Sequence, residues 1–103
     1  MSQPAPPPPS RGDYWRRLFA HWPADLAKAG AVVTEQNEPV RFVDFAVSGG
    51  ILLLQRDRPD TTGARKVLLS YDAISSLKLD DPGDLQRYRA LGFQPPVGAA
   101  AAG

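Results

Sequence analysis

Residues 40–54 read VRFVDFAVSGGILLL, and this stretch decides the fold class. Its first half is rich in β-branched and aromatic residues and alternates with period two. Val43, Phe45 and Val47 fall on one face, and Phe42, Asp44 and Ala46 on the other. Ser48-Gly49-Gly50 is a tight turn, and Ile51 to Leu54 open a second strand directly after it. A connection this short makes the two strands antiparallel neighbours.

Reading outward, AVVTEQ at 31–36 has the same β-branched character and leads through the turn Asn37-Glu38-Pro39 into the central stretch. On the other side, DRPDTTGA at 57–64 is the longest loop, punctuated by Pro59 and Gly63, and it links two antiparallel strands. RKVLLSY at 65–71 follows, then a break at Asp72-Ala73, then ISSLKL at 74–79. The strands at 51–54 and 67–69 are apolar on both faces. A single sheet covered on one side would leave those leucines in water, whereas a barrel or an oligomer interface hides both faces.

Helices flank the strands. Asp13 opens the first, with Tyr14, Trp15, Leu18, Phe19 and Trp22 in one stripe and Arg16 and Arg17 off it. Pro23 interrupts it. Residues 24–29 resume as a short turn with Leu26 and Ala27 inward and Gly30 as the cap. At the far end Asp81 caps a short helix with Pro82 in its first position. Leu85, Tyr88 and Leu91 line one side, Gly92 ends it and Phe93 folds back on it. The expected fold is α+β: an N-terminal helix, a five-stranded antiparallel, strongly bent sheet or small barrel, and a short C-terminal helix.

The termini differ in composition. MSQPAPPPPS at 1–10 holds five of the eleven prolines and reads as an extended arm, so residues 1–12 are expected to be disordered. Residues 13–93 are expected to be one small barrel domain, and 94–103 a flexible Pro/Ala/Gly tail. A domain of about 80 residues buries a modest share of its surface and is marginal alone, which favours help from a partner chain.

Across all 103 residues, 12 Lys+Arg stand against 11 Asp+Glu, for a net charge of +1 and no global basic field. With no Cys, the chain has no disulfide, Cys-ligated zinc or thiol nucleophile, and a single His leaves nothing for a multi-His metal site. The longest strictly apolar run, Ile51 to Leu54, is far short of the roughly 20 residues of a membrane span. No basic-then-apolar leader opens the sequence, so the expected location is cytoplasmic.

The segment Tyr71-Asp72-Ala73-Ile74-Ser75-Ser76, with a helix and five strands around it, resembles the Sm-like family, above all its bacterial RNA-chaperone branch. There a Tyr-Lys-His-Ala-Ile-Ser segment leads into the last strand. FAVSGGILLL at 45–54 is similar to the family's second and third strands, and the likeness spans about residues 14–79. It implies an Sm-like or SH3-like barrel that assembles into a ring through strand pairing. The departures bear on function. The Lys-His pair that contacts RNA in that branch is missing, and Asp72 in its neighbourhood repels phosphate. Tyr71 is the matching position kept as a candidate stacking residue. Asp44 to Gly49 also resembles the Asp-x-Ser-x-x-Gly signature of PilZ cyclic-dinucleotide receptors. However, Ala46 stands where the Ser belongs, and no Arg-x-x-x-Arg pair precedes it.

Other candidate contacts are polar. Arg56, Arg58, Arg65 and Lys66 bracket the long loop and form a basic hairpin tip suited to phosphates, although a solvated loop with internal ion pairs has the same composition. Pro6-x-x-Pro9-x-Arg11 matches a polyproline ligand of SH3 domains. Arg11, Arg16 and Arg17 beside Tyr14 and Trp15 combine cations with aromatics as single-strand binders do. An aromatic core stripe with arginines on its wet face has the same composition, and it is the reading adopted. Catalysis is not expected. His21 sits at a helix end, where it stabilises last-turn carbonyls. Asp80, Asp81 and Asp84 cluster at a helix start, where carboxylates serve as caps. No glycine loop precedes a helix to cradle phosphate, and no cofactor or small-molecule substrate is implied. The expected function is protein binding and homo-oligomeric assembly through strand edges. The alternative is an Sm-like RNA-binding ring that uses the basic loop in place of the Lys-His pair.

Overall fold

The computed structural model describes residues 7–97. Its first element, α1 (Arg11–Ala20), begins two residues ahead of the expected Asp13 because Ser10 and Asp13 cap it reciprocally. The Ser10 hydroxyl accepts the Asp13 N–H at 3.3 Å, and the Asp13 carboxylate accepts the Ser10 N–H at 2.9 Å. Arg11 and Gly12 therefore belong to the helix and not to the Pro-rich arm. At the other end His21 plays the expected part: its backbone N–H donates to the Arg17 carbonyl at 3.1 Å and its Nδ1 lies 2.8 Å from the same oxygen. Beyond Pro23 the chain makes only turns. Leu26 is buried and receives the Trp22 indole N–H on its carbonyl at 3.0 Å, but Ala27 points out, and Gly30 starts a strand instead of capping a helix.

Six strands follow where five were expected: β1 (Gly30–Thr34), β2 (Pro39–Phe42), β3 (Asp44–Val47), β4 (Ile51–Gln55), β5 (Lys66–Ser70) and β6 (Ile74–Lys78). They form two antiparallel three-stranded sheets in the orders β2-β1-β6 and β3-β4-β5. The additional strand arises at Val43, where the expected strand over 40–47 is interrupted. β2 pairs with β1, while the Val43 N–H already donates to the Gln55 carbonyl at 2.8 Å and β3 pairs with β4. A chain that hands its hydrogen bonds from one neighbour to another has to turn, and the strict alternation of a straight strand ends there. Phe42 and Phe45, expected on opposite faces, consequently meet with ring centroids 5.9 Å apart.

The strands do not close into the expected barrel: β5 and β6 each end a sheet and do not pair with one another. A short 3-10 turn, Tyr71–Ala73, joins them. The loop at 57–64 does link two antiparallel strands, β4 and β5.

Phe19, Val32, Phe42, Leu52, Leu54 and Ile74 are fully buried and form the core, with Val40 and Tyr71 beside them. Phe19 is its hub. It stacks on Trp22 at 5.5 Å and meets Phe45 edge-on at 5.1 Å and Phe42 at 6.5 Å. One face of β4 lies in this core, its Leu52 and Leu54 buried in the same cluster as Phe19. The other face carries Leu53, in register with Ala46 on β3 and Leu68 on β5, so the strands' apolar residues are divided between core and outer surface.

The C-terminal element, Leu85–Leu91, is a 3-10 helix and contains no fully buried residue. Asp84, not Asp81, caps it by accepting the Gln86 N–H at 3.1 Å. Asp81 instead gathers the Gly83 N–H at 3.1 Å, Arg87 Nη1 at 2.8 Å and the Tyr88 hydroxyl at 2.7 Å. Gly92 ends the element with φ 94°, as the sequence suggests. Of the three residues expected on one side, Tyr88 and Leu91 are half-buried while Leu85 is 82% exposed. Among the described residues, no helix is long and apolar enough to cross a membrane.

Candidate functional site

Each sheet has two end strands, β2 and β6 in one and β3 and β5 in the other, and among these the β5 edge is the most distinctive surface of the fold. In the β4–β5 ladder the Arg56 N–H donates to the Arg65 carbonyl at 2.8 Å, which extends the register by one hydrogen-bonded pair. Antiparallel ladders alternate bonded and non-bonded pairs. Val67 and Leu69 therefore bond to β4, while Lys66, Leu68 and Ser70 turn their backbone N–H and C=O groups to the open side. The Leu68 side chain is 68% exposed on the outer face, and Ile51 on β4 is also exposed. Edges that avoid pairing carry Pro, bulges or repeated charges, whereas β5 reads KVLLS with a single Lys at one end. At the other end of the structure, β6 pairs with β1 alone, and Ser75 and Lys78 are exposed along it.

The structure brings Arg56, Arg58, Arg65 and Lys66 together at the loop end of the β4–β5 hairpin. Arg56 and Arg65 face each other across the ladder, Lys66 stands opposite Gln55, and Arg58 lies in the loop. Arg56 donates through Nε to the Arg58 carbonyl at 3.3 Å, and Arg58 lies 3.9 Å from the Asp57 carboxylate. The loop is organised by Asp60, whose Oδ1 accepts the Thr62 hydroxyl at 2.7 Å, the Thr62 N–H at 2.8 Å and the Ala64 N–H at 2.9 Å. These bonds, that from the Thr62 hydroxyl first, hold the Asp60 carboxyl below its ordinary pKa of 3.8. Gly63, at φ 89°, makes the turn that the loop needs. The hairpin end is a folded basic tip.

Tyr71 is placed differently from the expectation. Its ring is 3% exposed in the core and its hydroxyl donates to the Ser48 carbonyl at 3.1 Å, so it offers no open face for stacking. Asp72 beside it is committed to α1: its Oδ1 accepts the Gly12 N–H at 3.0 Å and lies 3.5 Å from the Ser10 hydroxyl. A carboxylate at a helix N-terminus satisfies free amides and matches the helix dipole. Gly12 is needed for this approach, since a Cβ there would sit 2.3 Å from Asp72 Oδ1. No signal in the sequence marks this contact.

The polyproline candidate divides. Pro6 lies outside the described residues, Pro9 is exposed, and Arg11 is drawn into α1, where its guanidinium pairs with Glu35. The tail's Pro95 and Pro96 line a cleft with Tyr88 and Phe93, and residues 98–103 lie outside the described part.

The chain was compared with protein-family models, with curated proteins and with solved structures, and no match was found in any of the three.

Proposed function

We propose that this chain is a non-enzymatic assembly module that self-associates by pairing the β5 edge of one copy with the β6 edge of the next. The observation that carries the reading is the open β5 edge, an apolar strand whose Leu68 is 68% exposed and whose outward backbone groups have no strand partner among the described residues. Adding a strand satisfies those groups and covers the leucine in one step. Because β5 and β6 are different surfaces, such pairing is head-to-tail, and it closes into a ring when the rotation between copies permits. An Sm-like arrangement fits this reading. β2 and β3 are separated by Val43 alone, so the two sheets can be followed as one bent sheet in the order β6-β1-β2/β3-β4-β5.

The second reading, an RNA-binding ring, draws support from the four cations gathered at the hairpin end. Against it, Tyr71 is in the core and the Asp72 carboxylate holds the start of α1. Light scattering at low and high salt, with the 260/280 nm absorbance ratio of the eluting peak, tests both. Assembly through apolar strand edges gives a salt-independent multiple of 11.1 kDa free of nucleic acid. Nucleic acid that co-elutes and is shed at high salt favours the second reading. A monomer at both salts overturns the first.

A further inference from the structure

A second surface lies away from the strand edges, where α1 meets the C-terminal 3-10 helix. Tyr14 and Leu18 of α1 and Leu91 and Phe93 of the C-terminal segment line a cleft of about 380 Å³. Phe93 is shared with a neighbouring cleft of about 520 Å³ lined by Leu85, Tyr88, Pro95 and Pro96, so the two adjoin at this residue as parts of one grooved, mostly apolar surface. Its floor is built of rings and aliphatic carbon, and Tyr14, Leu85 and Phe93 all remain mostly exposed along it.

The charges around this floor have one sign. Arg17 and His21 line one part and Arg89 the other, and no Asp or Glu lines either. Arg11, Arg16, Arg58 and Arg87 each have a carboxylate within 4.0 Å, whereas among the described residues Arg17 and Arg89, like Arg41, Arg56 and Arg65, have none that close, although Asp13 feels the charge of Arg17. His21 Nδ1 is taken by the Arg17 carbonyl, which leaves Nε2 for a ligand. An apolar groove lined by cations and by no carboxylate is complementary to a ligand with apolar anchors and negative charge.

We propose that this groove binds an acidic peptide segment, with aliphatic or aromatic side chains seated beside Phe93 and carboxylates paired with Arg17 and Arg89. A single nucleic-acid strand needs a continuous cationic track for its phosphates, whereas these two arginines are separated by apolar floor. The chain's own Pro-rich arm, MSQPAPPPPS at 1–10, contains no Asp or Glu and does not match these cations.

The test is selection of a random displayed-peptide library on the full-length chain, with depletion on Phe93→Asp. Enriched peptides are then synthesised and titrated by fluorescence polarisation. The expected winners combine Asp or Glu with Leu, Phe or Trp. Their affinity should fall about tenfold or more in Phe93→Asp and in the Arg17→Glu/Arg89→Glu pair, and stay unchanged in Arg56→Ser. Tyr14→Ser, also at an exposed position, provides a second groove variant, and unchanged circular-dichroism melting certifies the fold of each. No enrichment over the depleted control, winners that are basic or Pro-rich, or binding indifferent to the arginine reversals would each overturn the proposal. So would a native mass that drops in Phe93→Asp, because the groove's occupant would then be a second copy. Binding that persists in an edge-blocked Leu68→Pro monomer keeps this result separate from that of the assembly.

Discussion

The Asp72 carboxylate accepts the Gly12 N–H at 3.0 Å across 60 residues of sequence and fastens the first turn of α1 to the turn between β5 and β6. That contact places α1 over the core, where Phe19 reaches Phe42 and Phe45.

Gly12→Ala tests the closeness of that approach. Its Cβ would meet Asp72 Oδ1 at 2.3 Å and the Asp72 backbone nitrogen at 3.1 Å, so the carboxylate has to swing off the helix start and the backbone has to give by a few tenths of an ångström. Urea unfolding should show a loss of about 1–3 kcal/mol, the range of overpacking. Asp72→Ala, which removes a helix-terminal acceptor without a clash, should cost about 1 kcal/mol. A neutral Gly12→Ala would mean that α1 is not fastened there.

Core and edge should respond oppositely to truncation. Phe19→Ala removes the hub of the aromatic cluster and should cost about 3–5 kcal/mol, a large share of the stability of a domain of this size. Leu68→Ala should change the stability of the monomer by no more than about 0.5 kcal/mol. Equal effects in thermal unfolding would place Leu68 in the core and remove it from the edge.

Acid should weaken the fold through three carboxylates held below the ordinary 3.8. Asp13 is lowered by the Ser10 backbone N–H, Asp60 by the Thr62 hydroxyl and Asp81 by the Tyr88 hydroxyl, in each case the leading cause. A depressed folded pKa contributes stability that is complete above 3.8 and is lost as pH falls through the folded value. Tyr88 has the converse shift. The Asp81 hydrogen bond raises it above 10.0, so its contribution is complete below that pH and is lost as pH rises through its folded value. Urea midpoints measured across pH should decline at both ends, and Asp81→Asn should flatten both declines. An unchanged profile in that variant would contradict the assignment.

Replacing Arg56, Arg58, Arg65 and Lys66 together by Ser should leave the native mass unchanged, because the proposed β5-edge pairing uses backbone groups and Leu68. Titration with a uridine oligonucleotide should show no strong binding to lose. Tight, salt-sensitive binding that disappears in the quadruple variant would make the loop an RNA site.

Local signals in the sequence were legible where neighbours in the chain decide structure. The hairpin over 57–64, the Gly92 stop, the His21 cap and the apolar outer row of β4 and β5 all follow from turn chemistry or periodicity. Contacts made over distance were not. Val43 breaks the strand because hydrogen bonding passes from β1 to β4, and no residue type there announces the change. Tyr71 has the composition of a stacking residue, yet the turn carries it into the core. The sequence points to Asp81 as the cap, yet Asp84 takes that place while Arg87 and Tyr88 claim Asp81. The groove at Phe93 depends on how α1 and the C-terminal helix meet, which periodicity does not encode.

The most direct test of the central claim is the native mass of the chain and of Leu68→Pro by light scattering at matched concentration. The Leu68 N–H faces away from β4, so proline there spares the β4–β5 ladder while removing an outward donor and the exposed leucine. The account predicts an oligomer for the parent chain and a folded monomer for Leu68→Pro. A parent chain that is already monomeric, or a variant of undiminished mass, would contradict assembly through this edge.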